Sequence, residues 1–203
     1  MSTGPVGYVD TTLRDLAAHP WAGSISTEEI AAVAAQLANS GAVALEVLDS
    51  FSARGALEGR IESPWDRLRV AVKAAKSVPV GIVVAARTLF GDRPVGADLA
   101  RSLVTGACES GARRIRAIDP LNDADALLPL AEAADAGGAE LVPTLVLGPS
   151  PASTDRRWLD EARAIEERGV SGRPVSLLSG FSGGRRRRAP LERLEVLVGL
   201  GVL

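Results

Sequence analysis

The sequence predicts an α/β fold with parallel strands. A strand, a loop and a helix that ends near a glycine recur at intervals of roughly thirty residues, and five such units are clear, with a weaker sixth strand after them. The strands are continuous apolar runs, as expected when helices cover both faces of a sheet. Both an open doubly wound sheet and part of a (β/α)8 barrel fit this pattern. A dinucleotide-binding sheet is disfavoured because no G-x-G-x-x-G follows the first strand.

The elements can be placed from local signals. Tyr8–Thr12 favours a short strand, because β-branched and aromatic residues suit extended backbone. Ser26 and Glu29 form a capping-box pattern, which predicts the start of the first helix. The further predicted elements are a strand over 43–48, a helix from Ser63-Pro64, a strand over 78–86, a helix over 97–109, a strand over 114–119, a helix over 123–136, a strand over 141–147 and a helix over 154–167.

The pattern changes after Gly169. Residues 175–178 predict only a weak strand, and the Arg185–Arg188 run is interpreted as a solvated linker. The apolar spacing over 191–203 is that of a last short helix. We therefore divide the chain into a flexible lead-in over 1–7, a barrel-like region over 8–169 and a divergent Gly- and Arg-rich tail over 170–203.

Composition narrows the class of protein. The chain has 203 residues, of which 46% are hydrophobic and 24% charged, and its formal net charge is −2. This balance argues against a nucleic-acid partner. There is no apolar run long enough to cross a bilayer and no basic-then-apolar leader, so we expect a cytoplasmic protein without a membrane partner. Cys108 is the only cysteine, which excludes an internal disulfide.

The first candidate site is Arg14-Asp15, directly after the first predicted strand. In parallel α/β folds, ligands bind at the carboxyl ends of the strands. A carboxylate there can bind a cation, and an arginine can hold a substrate carboxylate through two hydrogen bonds. The structural alternative is an Arg–Asp ion pair that ties down a loop.

Charged residues inside later strands suggest a second group. Glu46 and Arg116 fall within predicted strands, so we expect a buried structural ion pair between them, with Arg14 as the alternative partner of Glu46. Asp119, Asn122 and Asp123 cluster after the fourth strand. Asn122 is interpreted there as the N-cap of the following helix.

Four motifs resemble a known family. They are Asp10-Thr-Thr-Leu-Arg-Asp15, Leu45-Glu46-Val47, Pro64-Trp-Asp-Arg-Leu-Arg69 and Ile118-Asp-Pro-Leu-Asn-Asp123. In this order and spacing they resemble the carboxyltransferase domain of pyruvate carboxylase and the oxaloacetate decarboxylase alpha subunit, within the hydroxymethylglutaryl-CoA-lyase-like group. The resemblance implies a (β/α)8 barrel, of which this chain would supply five to six units.

The same resemblance implies a chemistry. The family reaction is metal-dependent, biotin-linked carboxyl transfer or decarboxylation (a lyase reaction) on pyruvate or oxaloacetate. Asp15 matches the family's metal ligand for Zn, Mn or Co, and Arg14 its neighbour in the site. The implied partners are a 2-oxo acid substrate and a biotin carrier protein.

Departures from the family pattern predict an impaired copy. The arginine that holds the substrate carboxylate falls at Ala85, with Arg87 as a substitute two positions on. The lysine that joins the metal falls near Ser176, the family's His-x-His pair is absent, and His19 is the only histidine. A catalytic metal site needs about three protein ligands and an open position. We therefore expect no complete active site within this chain.

Three interpretations follow from these departures. The first is a truncated, degenerate carboxyltransferase-like enzyme in which Asp15 holds the metal and Arg14 or Arg87 holds the substrate. The second is a non-catalytic barrel remnant that binds a partner chain or a second copy of itself, covering the open sheet edges. The third is a frameshifted enzyme fragment, because the motifs stop abruptly near Val170 while the preceding pattern is intact.

Overall fold

Parallel strands in chain order form the centre of the molecule. The computed structural model describes residues 7–18, 25–56, 62–88, 94–147, 154–170, 175–179 and 194–196. Within them one seven-stranded sheet has the order β1 to β7, with every neighbouring pair parallel. The strands are β1 Val9–Asp10, β2 Ala44–Leu48, β3 Val80–Ala85, β4 Arg114–Ile118, β5 Glu140–Leu147, β6 Val175–Ser179 and β7 Leu194–Val196.

This order confirms the predicted parallel α/β class and decides between its two variants. A doubly wound sheet reverses its strand order at a switch point. The described strands run in sequence without any reversal, as in part of a (β/α)8 barrel. The doubly wound alternative is therefore wrong.

Helices connect the first six strands, and their starts follow capping chemistry. Ser26 caps α2 and makes the predicted capping box with Glu29. Pro64 occupies the first turn of α4, where its missing N–H costs nothing. The helices are α1 Thr12–Ala18, α2 Thr27–Leu37, α3 Ser50–Gly55, α4 Pro64–Ala75, α5 Ala97–Glu109, α6 Ala124–Ala136 and α7 Asp155–Ile165, which continues as a π-helical turn over Glu166–Val170.

The core lies between the sheet and the helices. Successive strand residues point to opposite faces, so each strand gives alternate residues to each side. The helix-facing side is apolar and joins one cluster of buried residues that includes Leu45, Ile82, Val84, Ile115, Leu141 and Leu145 from the strands and Leu68 and Val104 from the helices.

The opposite face of the sheet, which we call the inner face, is charged as well as apolar. Ala44, Glu46, Val83, Arg116 and Val142 lie on it, and each is at most 9% exposed. Backbone register places Arg116 beside both Val83 and Val142. Buried charges on such a face need partners.

Three details of the secondary structure differ from the predictions. The strand over 8–12 is shorter, because Thr12 already begins α1 and the Asp10 side chain accepts a hydrogen bond from its N–H (2.9 Å). Helix α3 was missed because it has only six residues and no apolar periodicity. The prediction of a helix over 191–203 is wrong at Leu194–Val196, because these residues pair with β6 as a strand. No helix among the described residues has the length and apolarity to cross a membrane.

Candidate functional site

The first turn of α1 places two candidate residues at the carboxyl end of β1. The N–H of Asp15 donates to the carbonyl oxygen of Thr11 (2.9 Å), and the Thr11 hydroxyl donates to Asp15 Oδ2 (2.6 Å). This local closure turns the chain immediately after β1. Arg14 and Asp15 therefore sit in a helix turn rather than in the loop that the sequence suggested.

Glu46 is the centre of the charged group. Arg116 Nε donates to Glu46 Oε1 (2.6 Å) and Arg116 Nη2 donates to Oε2 (2.8 Å). Arg14 Nη1 also donates to Glu46 Oε2. The side chains of Glu46 and Arg116 are 2% and 6% exposed. Both predicted partners of Glu46 are thus engaged at once, one through two parallel hydrogen bonds.

Asp15 completes the group on its solvent side. Arg14 Nε and Nη2 donate to Asp15 Oδ1 at 2.9 and 2.6 Å. Arg14 is 15% exposed, whereas Asp15 is 51% exposed. We call Arg14, Asp15, Glu46 and Arg116 the strand-end network. Its two guanidinium groups and two carboxylates balance in charge, and its exposure rises from Glu46 outward to Asp15.

Arg87 belongs to a separate cluster. Its Nε donates to Asp119 Oδ1 (2.8 Å), and its Nη2 donates to Asp123 Oδ2. The side chain of Arg87 is 40% exposed and that of Asp119 is fully buried. Hydrogen bonding to Asp119, together with its negative charge, raises the pKa of Arg87 above its usual value. The structure therefore ties Arg87 to the end of β4, and the contacts of the described residues do not join it to Arg14.

Two side chains hold the loop after β4, and their roles differ from the predicted ones. Asn122 is not the N-cap of α6; Asp123 is, accepting from the N–H of Asp125 (3.0 Å). Asn122 instead adopts a φ of 55° and bonds the backbone of Val146 twice, donating to its carbonyl oxygen (3.0 Å) and accepting from its N–H (2.7 Å). The position of Asn122 after a strand was the only signal of its role, because a side chain that bonds to a strand distant in sequence leaves no local pattern.

Asp119 offers a direct test of how this loop is held. Its Oδ2 accepts from the N–H groups of Leu121 (3.2 Å) and Asp123 (2.9 Å), in addition to the bond from Arg87. We expect Asp119→Ala to lower the free energy of unfolding by about 2–4 kcal/mol, since it leaves two backbone N–H groups and the Nε of Arg87 without their acceptor. Urea denaturation measures this. A loss below about 0.5 kcal/mol, typical of surface substitutions, would contradict it.

The described residues do not assemble a metal centre around Asp15. Both oxygens of Asp15 already accept hydrogen bonds, from Arg14 and from Thr11. Within the described ranges, no group of three or more His, Cys, Asp or Glu side chains is placed to hold a cation. His19 and Arg185–Arg188 lie outside the described residues. Ser176, at the position of the family lysine, pairs through its backbone with Thr144.

Comparisons with known proteins support the resemblance seen in the motifs. No family model matches the chain. The chain is 27% identical over 176 residues to a pyruvate carboxylase subunit of Methanocaldococcus jannaschii, covering 87% of this chain and 31% of that protein. It is 25% identical over 161 residues to the 2-oxoglutarate carboxylase large subunit of Hydrogenobacter thermophilus, covering 79% of this chain and 25% of that protein. The chain thus spans about a third or less of the length of these relatives.

The fold also matches solved structures. The carboxyl transferase domain of Rhizobium etli pyruvate carboxylase with pyruvate and biocytin superposes with a TM-score of 0.75 at 18% identity, over 85% of this chain and 30% of that one. The same domain with oxamate and biotin gives a TM-score of 0.74 at 18% identity with the same coverage. At this identity the likeness establishes the fold, and it confirms the partial barrel. The chain is therefore similar in sequence to a pyruvate carboxylase subunit, and its fold is a partial barrel that matches part of the carboxyl transferase domain, as its four motifs predicted.

Proposed function

We propose that the strand-end network is a binding site for the carboxylate of a 2-oxo acid, in a biotin-linked carboxyl-transfer or decarboxylation reaction. The observation that carries this proposal is the position of Arg14, between the buried Glu46 and the exposed Asp15 at the carboxyl end of the strands. Similarity to the pyruvate carboxylase subunit of Methanocaldococcus jannaschii supports the reaction class. Pyruvate and oxaloacetate are the substrates that we propose.

The network holds Arg14 in a fixed orientation. Two hydrogen bonds anchor Glu46 to Arg116, which lies two strands away in the sheet. The Glu46 carboxylate therefore cannot move with Arg14. Glu46 and Arg116 are positioning residues in this proposal, since they act through Arg14. A guanidinium that is already oriented loses less conformational entropy when it binds a carboxylate.

Substrate binding would exchange one carboxylate for another. The Asp15 side chain is the solvent-exposed partner of Arg14, so it is the one that an incoming carboxylate can replace. The exchange leaves the charge around Arg14 unchanged and keeps its donors paired, which limits the desolvation cost. The carboxylate of Asp15 is then released at the mouth of the site.

Arg87 is the alternative carboxylate-binding residue. Its side chain is more exposed than that of Arg14, which favours access. Two carboxylates of the loop after β4 already hold it, however, and the buried Asp119 is also bonded to two backbone N–H groups. A substrate would have to displace a carboxylate that the loop needs. We therefore assign the substrate contact to Arg14 first.

The proposal includes impaired catalysis. A single aspartate does not retain a divalent cation against water, and the described residues form no group of three or more potential ligands around it. A cation at Asp15 would need ligands from elsewhere, so we derive no catalytic step through a metal. The proposed partners are a biotin carrier protein and either a second copy or another chain, placed along the outer edges of β1 and β7.

Oxaloacetate loss in the presence of Mn²⁺ or Zn²⁺ tests the role of Asp15. The catalytic interpretation requires the wild-type chain to exceed the metal-only background and Asp15→Ala to lose that excess; because no group of three or more potential ligands surrounds Asp15 among the described residues, we expect both proteins to stay close to the background. Asp66→Ala is the matched control, because Asp66 is similarly exposed and paired with Arg69 on the surface. Equal rates for the wild-type chain and Asp15→Ala would end the catalytic interpretation.

A further inference from the structure

A cavity lies where the carboxyl end of β2 meets the starts of α3 and α4, and none of the residues of the strand-end network lines it. It has a volume of about 260 Å³ and is partly enclosed. Apolar side chains form most of its wall, among them Leu48 from β2, Ile82 from β3, Trp65 from α4 and Leu103 from α5. Leu48 and Ile82 are each 3% exposed, so the cavity reaches into the core.

Trp65 is fixed where it lines this cavity. The indole packs directly on the backbone of α5, since a Cβ atom added at Gly106 would lie 3.2 Å from Trp65 Cζ2. That distance is shorter than ordinary van der Waals contact. The glycine therefore lets α4 and α5 approach closely at this point, while the ring also forms part of the cavity wall.

An apolar cavity of this size is costly unless something fills it. Protein interiors are close-packed and contain few voids larger than a water molecule. The atoms around a void lose dispersion contacts, and a cavity without polar partners does not hold water well. A ligand that filled the space would restore those contacts, which is how apolar cavities come to bind small rings.

Polar groups at the starts of two helices set the chemistry of the ligand. Ser50 and Ser63 line the cavity, and the Ser63 side chain makes no capping hydrogen bond to α4. Asp49 lines it as well, with its Oδ1 accepting from the N–H of Ser52 (2.7 Å). A negative charge at the wall disfavours anionic ligands, whereas hydroxyl groups can pair with a polar substituent.

We propose that this cavity binds a small neutral ring that carries one hydroxyl group. Its volume is just below the roughly 300 Å³ at which typical ligand pockets begin, so the ligand must be smaller than a drug-sized molecule. The ring would lie against Trp65 and Leu103, and its hydroxyl would face the serines. This proposal does not depend on the carboxylate site proposed above, because the ligand proposed here is uncharged.

Titration with 4-fluorophenol, followed by fluorine NMR, tests the proposal on the full chain. We expect saturable binding and nuclear Overhauser contacts to the Trp65 ring. Leu103→Trp should fill the cavity and weaken binding at least ten-fold, which corresponds to about 1.4 kcal/mol. Leu99→Trp is the matched control, because Leu99 lies one turn earlier on α5 and is 50% exposed.

A second filling variant guards against misfolding. Ala53 also lines the cavity and is 8% exposed, so Ala53→Leu should weaken binding in the same way if Leu103→Trp does not fold. Circular dichroism identifies the folded variants. A linear, non-saturating response of the wild-type chain would overturn the proposal, and so would unchanged binding in a folded filling variant.

Discussion

Replacing Glu46 with alanine is expected to lower the free energy of unfolding by about 3–5 kcal/mol, because it leaves a charge buried without its partner. Arg116 is 6% exposed and directs both Nε and Nη2 at the Glu46 carboxylate. Arg14 loses one carboxylate but keeps Asp15. Urea denaturation of the two proteins measures the difference, and a slope that does not change shows that the same surface is exposed on unfolding.

Two further variants test whether the loss of stability is specific to the buried ion pair. Asp66→Ala breaks an ion pair whose side chains are 54% and 59% exposed, so it should change stability by no more than about 1 kcal/mol. The double variant Glu46→Leu with Arg116→Met removes both buried charges, and it should be more stable than Glu46→Ala alone. If Glu46→Ala stayed within about 1 kcal/mol of the wild-type chain, the network would not be holding the inner face together.

Much of the fold was predictable because the signals were local. The capping box of Ser26 and Glu29 and the apolar runs of β2 to β5 depend on residues close together in sequence. Gly111 and Gly138 follow α5 and α6 with φ of 99° and 66°, so the glycines expected to end those helices do lie in the left-handed region. The short α3 and the three-residue β7 were not predictable, since neither is long enough to show a period.

The site was predictable in its residue types but less so in its geometry. A glutamate and an arginine inside apolar strands required partners, and this requirement alone pointed to Glu46, Arg116 and Arg14. The arrangement of Arg87 was not foreseen. Its two carboxylate partners lie 32 and 36 residues further along the chain, on a loop whose shape depends on Asn122 bridging to β5. Contacts of this range leave no spacing pattern in a single sequence.

The substrate proposal depends on which arginine receives the carboxylate. Oxamate is a stable analogue of pyruvate with the same carboxylate, so its binding can be measured without turnover. We expect Arg14→Gln to weaken oxamate binding by about ten- to a hundred-fold, since a hydrogen bond to a charged group contributes about 1.5–3 kcal/mol. Arg87→Gln is the matched variant and should change the affinity by less than about three-fold.

Isothermal titration of oxamate into the wild-type chain and these two variants is therefore the most direct measurement, with urea denaturation to verify that each variant is folded. We expect saturable binding to the wild-type chain and to Arg87→Gln, and weak or no binding to Arg14→Gln. The assignment of the carboxylate site to Arg14 would be wrong if the wild-type chain did not bind oxamate, or if a folded Arg14→Gln variant bound it as tightly as the wild-type chain does.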